Sequence, residues 1–180
     1  MTVPRATYRL QLRNGVTFET AAERVGYLAH LGISHLYLSP IFEAAPGSTH
    51  GYDVTDCSRL DPVLGGEAGF ALLCEALDRH DIGLIVDFVP NHMAATPHNP
   101  WWRDVLEWGR DSAYAQHFDI DWSAPALIVP VLSKAYGELL ANGAFGLDLA
   151  RTNGDLCFTY GDLKLPVTPP GAVQVSVQFR

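Results

Sequence analysis

Gly83-Leu84-Ile85-Val86-Asp87-Phe88-Val89 is a near-continuous apolar run bounded by a glycine and by Pro90. A short run of this kind between turn signals reads as a strand. Apolar residues at consecutive rather than alternate positions predict one covered on both faces of a parallel sheet. Asp87 interrupts it: a carboxylate in such surroundings is costly to bury unless it is hydrogen-bonded or paired. It sits near the carboxyl end of the strand, where parallel α/β folds assemble their sites, and Asn91 and His92 follow at once.

Upstream, strand-like and helix-like patterns alternate. Ala6 to Leu12 suits a pleated surface and ends at Asn14-Gly15. Phe18, Ala21, Ala22, Val25, Leu28 and Ala29 fall on one helical face, and Gly32 stands where a left-handed cap would stop the helix. Ile33 to Leu38 is a second strand. A loop of more than twenty residues, Ile41 to Pro62, is expected before the helical stripe of Phe70, Leu73, Cys74 and Leu77. Loops that long are uncommon unless they carry function. The order βαβαβ implies α/β architecture with a parallel sheet, either doubly wound or the beginning of a β/α barrel.

The second half changes character. Asn99-Pro100 is a good N-cap and N1 pair for a short helix over Trp101 to Trp108, after which Asp119 to Arg180 offers only brief strand-like pieces. Residues 1–98 thus read as one part and 99–180 as an insertion or small subdomain. Val173, Val175, Val177 and Phe179 alternate like a strand awaiting partners.

With 180 residues, 48% hydrophobic and 18% charged, the chain has the composition of a globular protein. The net charge of -8 and the scattered Arg residues argue against a nucleic-acid or anionic-membrane partner. No apolar run approaches the roughly 20 residues of a membrane span, and Met1 to Arg13 lacks the apolar block of a secretory signal. A cytoplasmic location is therefore expected, and Cys57, Cys74 and Cys157 read as reduced and structural.

Three groups of residues could carry chemistry. Asp87 either ties down its own loop or meets a ligand, and His92 is either a loop anchor or a hydrogen-bond donor to a polar ligand. Gly47-Ser48-Thr49-His50-Gly51-Tyr52-Asp53 presents an aromatic ring beside a carboxylate and an imidazole, a combination that suits a sugar, although Tyr52 packed inward in an ordinary turn is the alternative. Trp101, Trp102, Trp108 and Trp122 could extend such a surface, with at least two expected in the core. Asp87, His92 and His98 could suggest a metal, but Pro90 and Pro97 break any helical register and no cysteine pattern supports zinc. Leu64-Gly65-Gly66-Glu67 follows no strand and lacks the Lys-Ser/Thr pair of a phosphate loop, so it reads as a helix start.

Asp87-Phe88-Val89-Pro90-Asn91-His92 resembles the first conserved region of the α-amylase superfamily, glycoside hydrolase family 13, and Gly51-Tyr52-Asp53 resembles that family's loop after strand two. Thr7 to Leu12, Ser34 to Tyr37, Pro46 to Val54, Leu64 to Glu67, Asn99 to Trp102 and Asp119 to Trp122 are similar to the family's trehalose-forming branch. The likeness runs from about Arg5 to about Pro166.

The resemblance implies the first three βα units of a (β/α)8 TIM barrel and part of a subdomain inserted after strand three. A complete barrel takes about 250 residues, so the chain reads as an N-terminal fragment, whether by truncation or by a change of frame. The implied activity is intramolecular transglucosylation, an isomerase reaction. It converts the reducing-end α-1,4 bond of a maltodextrin to α,α-1,1 with retention, using two carboxyl groups roughly 5–5.5 Å apart. The family carries its nucleophile after strand four, its acid/base after strand five and a stabilising Asp after strand seven. No catalytic carboxylate is therefore expected here, and the chain alone should be inactive. The implied partner is a maltooligosaccharide. Tyr52 would stack on the sugar ring at the cleavage point, Asp87, His92 and His50 would bond hydroxyls or orient neighbours, and Asp53 would pair with a later arginine. Asn91 matches a position that helps hold calcium in many amylases, yet no metal and no cofactor are expected in this branch. An amylase-type hydrolase fragment and a non-catalytic maltodextrin-binding module are the alternatives.

Overall fold

The computed structural model describes residues 3–124, 127, 129, 131–149 and 156–167. Two compact units divide between Asn99 and Pro100.

The first unit is built on a parallel sheet of β1 (Thr7–Leu10), β2 (His35–Leu38) and β5 (Gly83–Val86), ordered β1-β2-β5. The register aligns Arg9 with Tyr37 and Ile85, and Leu10 with Leu38 and Val86. Side chains alternate across a strand, so Leu10, Leu36, Leu38, Leu84 and Val86 share one face, and that face forms the core with the helices. Arg9, Tyr37 and Ile85 project from the other. The expectation of a strand covered on both faces fails here: all four β5 residues are only half-buried, Leu84 and Val86 on the core face included, because β5 is an edge strand among the described residues.

The stripe from Phe18 to Ala29 forms two helices, α1 (Phe18–Ala22) and α2 (Val25–His30), instead of one. Thr17 and Thr20 cap α1 reciprocally, each side-chain oxygen accepting from the other's backbone N–H. At Arg24 the N–H bonds Ala21 O, three residues back, so one tight turn separates the helices while Phe18, Ala21, Val25 and Leu28 still face the core. Gly32, at φ 80°, ends α2, with Ile33 N–H bonding Leu28 O and Gly32 N–H bonding Ala29 O. A third helix, α3 (Gly66–Arg79), starts where Leu64-Gly65-Gly66-Glu67 was expected to start one, and Phe18 meets Phe70 edge-on at 5.3 Å.

The expected long loop from Ile41 to Pro62 is largely an antiparallel pair, β3 (Phe42–Ala44) with β4 (Val54–Leu60). Irregular register between Phe42 and Ala44 hides it from a period-two search. What remains as connection is residues 45–53.

In the second unit, α4 (Pro100–Trp108) follows Asn99 directly, as the N-cap and N1 pair predicts. The expectation of strand-like pieces alone beyond Asp119 also fails, since α5 (Tyr136–Ala141) precedes an antiparallel meander of β6 (Phe145–Leu149), β7 (Leu156–Tyr160) and β8 (Leu163–Pro166). Trp102 is buried, whereas Trp101 and Trp122 are half-buried and Trp108 is exposed. Trp101 stacks on Tyr114 at 5.1 Å, which covers one of its ring faces. The alternating stretch from Val173 to Phe179 lies outside the described residues. Among those described, no helix is long and apolar enough to cross a membrane, and no disulfide joins Cys57, Cys74 and Cys157.

Candidate functional site

Asp87 follows the last residue of β5, and its N–H extends the ladder by bonding Leu38 O at 3.0 Å. That one further pairing places its side chain on the same face as Arg9 and Tyr37, at the carboxyl end of the parallel strands. The carboxylate is not left alone there. Tyr52 donates its hydroxyl to Asp87 Oδ2 at 2.5 Å, Arg9 Nη2 donates to Tyr52 Oη at 3.3 Å, and Arg9 Nη2 lies 3.8 Å from Asp87 Oδ2. The Asp87 side chain is 13% exposed and that of Arg9 42%, so the carboxylate is held from beneath while the guanidinium meets solvent. Arg9 is steadied by its neighbours: Nη1 donates to Gln11 Oε1 at 3.1 Å just beyond β1, and the guanidinium lies 5.6 Å from the ring centroid of Tyr37 on β2.

Protonation follows from these bonds. Donation to Asp87 is the main reason the Tyr52 hydroxyl titrates above the ordinary phenol range. Burial and the Asp87 charge add to the effect, and Arg9 partly opposes it. The bond to Tyr52 likewise holds the Arg9 guanidinium even more firmly protonated than usual. At neutral pH the cluster therefore offers a neutral phenol and a cation beside Asp87.

Two imidazoles hold the Tyr52 backbone. His50 Nδ1 accepts from Tyr52 N–H at 3.0 Å, with its ring stacked on the phenol at 5.9 Å. His92 Nε2 lies 3.0 Å from Tyr52 O, within hydrogen-bond distance of an atom that only accepts. His92 Nδ1 meets Asn91 Oδ1 at 3.0 Å, and both residues are exposed.

The structure thus brings Tyr52, Asp87, His92, Asn91 and His50 together. Asp53 is placed differently. It accepts from Ser48 Oγ within its own loop and lies 3.7 Å from His50 Nδ1, so its present partners are local. Sequence reasoning missed Arg9. The available signal was the cation at the second-to-last position of β1, on the side opposite Leu10, once the parallel order was known. No three His, Cys, Asp or Glu side chains converge as a metal site among the described residues, and His98 does not join the cluster.

Residues 14–135 match the family described as alpha amylase, catalytic domain. The chain is 47% identical over 173 residues to a putative maltooligosyl trehalose synthase of Mycobacterium tuberculosis, covering 91% of this chain and 21% of that protein. It is 33% identical to an intracellular maltogenic amylase of Bacillus subtilis, over 77% of this chain and 21% of the other. The maltooligosyltrehalose synthase of Arthrobacter ramosus superposes with a TM-score of 0.82 at 43% identity, over 92% of this chain and 21% of that one. The chain thus spans about a fifth of the length of these relatives, corresponding to the N-terminal part of TIM-barrel enzymes. With more than half of its residues matched by the family as a whole, it belongs to the α-amylase family.

Proposed function

We propose that this chain supplies the first three βα units and part of the donor-sugar grip of a maltooligosyl trehalose synthase. The second unit would be the subdomain inserted after barrel strand three. The carrying observation is the Arg9–Tyr52–Asp87 cluster at the carboxyl end of the parallel sheet, with His92 on the Tyr52 carbonyl. A glucosyl ring needs an aromatic face for its apolar side and convergent hydrogen-bonding groups for its hydroxyls, and this cluster offers both. Tyr52 would stack on the ring, while Asp87, His92, His50 and Asn91 would bond hydroxyls or orient those that do. Arg9 would keep the Tyr52 proton aimed at Asp87. The 47% identity to a synthase, against 33% to a maltogenic amylase, favours isomerisation over hydrolysis.

The retaining reaction needs a nucleophile and an acid/base group, which the family carries after strands four and five, so this chain by itself should turn nothing over. Incubation with maltopentaose checks both statements. The 180-residue chain should leave reducing ends unchanged, and turnover by it would contradict the assignment. The barrel-complete enzyme carrying this segment should consume reducing ends without releasing glucose; a gain of reducing ends would identify a hydrolase instead.

A further inference from the structure

Beneath the Tyr52 loop lies an ion pair that the cluster does not include. Arg13 Nη2 meets Asp61 Oδ2 at 2.7 Å, and each side chain is 3% exposed. We propose that this buried pair is the positioning element for Tyr52, seating the loop that aims its hydroxyl at Asp87. The functional meaning of the seat rests on the sugar-binding reading above, while the geometry does not.

Arg13 leaves β1 at φ 79°, a left-handed conformation that a non-glycine residue adopts at a cost. Its guanidinium also donates to Phe42 O at 3.3 Å on β3. Asp61 is fixed from the far side: Oδ2 accepts from Ala44 N at 3.3 Å, Oδ1 from Val63 N at 2.9 Å, and its own N–H bonds Ile41 O. The pair therefore ties the exit of β1 to both ends of the β3–β4 hairpin, which carries residues 45–53 as its connection. Gly51 closes the link. It sits at φ 81°, and a Cβ there would stand 2.8 Å from Arg13 Nε and 3.1 Å from both Nη2 and Pro40 O. The backbone before Tyr52 thus lies against the guanidinium with no room for a methyl group.

Arg13 Nε, packed under Gly51, is buried without a hydrogen-bond partner, so the guanidinium is held through Nη2, on Asp61 and on Phe42 O. The other groups on the Tyr52 backbone are the exposed imidazoles of His50 and His92, which cannot by themselves fix the phenol against a carboxylate on another strand.

The test uses the 180-residue chain with 13Cζ-labelled tyrosine, the Tyr52 signal being assigned by Tyr52→Phe. In the unsubstituted chain that signal should titrate above the ordinary phenol range and should move when Asp87→Asn is introduced. In Arg13→Lys, Asp61→Asn and Gly51→Ala it should fall back to the ordinary range and lose its response to Asp87→Asn, while the Tyr37 signal keeps its position. A folded Gly51→Ala chain in which Tyr52 still answers to Asp87 would overturn the proposal. So would global unfolding of Gly51→Ala, because the pair would then belong to the core at large. Arg13→Lys and Asp61→Asn place an imperfect pair in a buried site, and Gly51→Ala, which leaves both partners, decides if they unfold. Failure of the sugar reading shows separately, in the reducing-end assay, and leaves this titration untouched.

Discussion

The Tyr52 hydroxyl has one proton and two neighbours that treat it differently. Asp87 accepts it, and Arg9 donates to the same oxygen. Replacing Tyr52 by Phe removes a charge-assisted bond worth about 1.5–3 kcal/mol, so maltopentaose turnover by the barrel-complete enzyme should fall on the order of tenfold in kcat/KM. Arg9→Met should cost less, up to about fivefold, because its guanidinium is largely hydrated. A larger loss for Arg9 than for Tyr52 would reverse the assigned roles. The pH dependence has a definite sign. A phenol whose folded titration lies above its unfolded value binds more protons when folded in that interval, so its stabilisation is complete below the ordinary phenol range and is lost as pH rises through the folded value. Thermal unfolding should therefore show the unsubstituted chain losing its advantage over Tyr52→Phe above pH ~10. Asp87 was legible in the sequence because a carboxylate in a greasy strand demands a partner. Arg9 was not, because a single cation in an alternating strand carries no such demand until the sheet order reveals which face it shares with Asp87. Asp53 is a different case: the distant arginine was implied by the family resemblance alone, and within this chain Ser48, five residues away, bonds its carboxylate.

At the scale of elements, the parallel strands and the helix stripe were legible because burial on one side leaves a periodic mark. The break between α1 and α2 left none, since the core-facing positions keep their spacing across the tight turn. The β3–β4 pair was hidden by its shifted register, which spoils alternation while preserving hydrogen bonds. Gly83 shows a further limit of pattern reading. It serves as a strand boundary in the sequence, yet its lack of a side chain has a packing reason: an added Cβ would fall 2.5 Å from Nε2 of the buried His35 in the neighbouring strand. Gly83→Ala should destabilise the chain by about 1–3 kcal/mol through overpacking. His35→Ala should lower stability on its own, and the double variant should lose clearly less than the sum, because the clash disappears with the ring. Urea unfolding of the four chains measures the coupling. Strictly additive losses would mean that the ring yields freely and that the His35 contact does not require a glycine at position 83.

For the molecule as a whole, the decisive asymmetry lies in the sheet of the first unit. Parallel sheets occur almost only with both faces covered, and here Leu36, Leu38 and their neighbours are sealed by helices while Arg9, Tyr37 and Ile85 face the other way. Among the described residues β1 and β5 are each paired on one side only, which leaves rows of backbone groups able to template another strand. Phe88, 53% exposed just beyond β5, adds apolar surface at that edge. Opposing these is the net charge of -8, which keeps copies apart when ions are scarce. The two effects respond oppositely to salt. Raising the ionic strength shortens the screening length to about 8 Å at 0.15 M and leaves strand pairing and apolar contact intact. Sedimentation velocity on the 180-residue chain should therefore show association that grows with protein concentration and with added salt, and Phe88→Asp should reduce it at every salt level. A single monomeric boundary under all of these conditions would mean that the second face and the edges are satisfied within one copy and do not drive association.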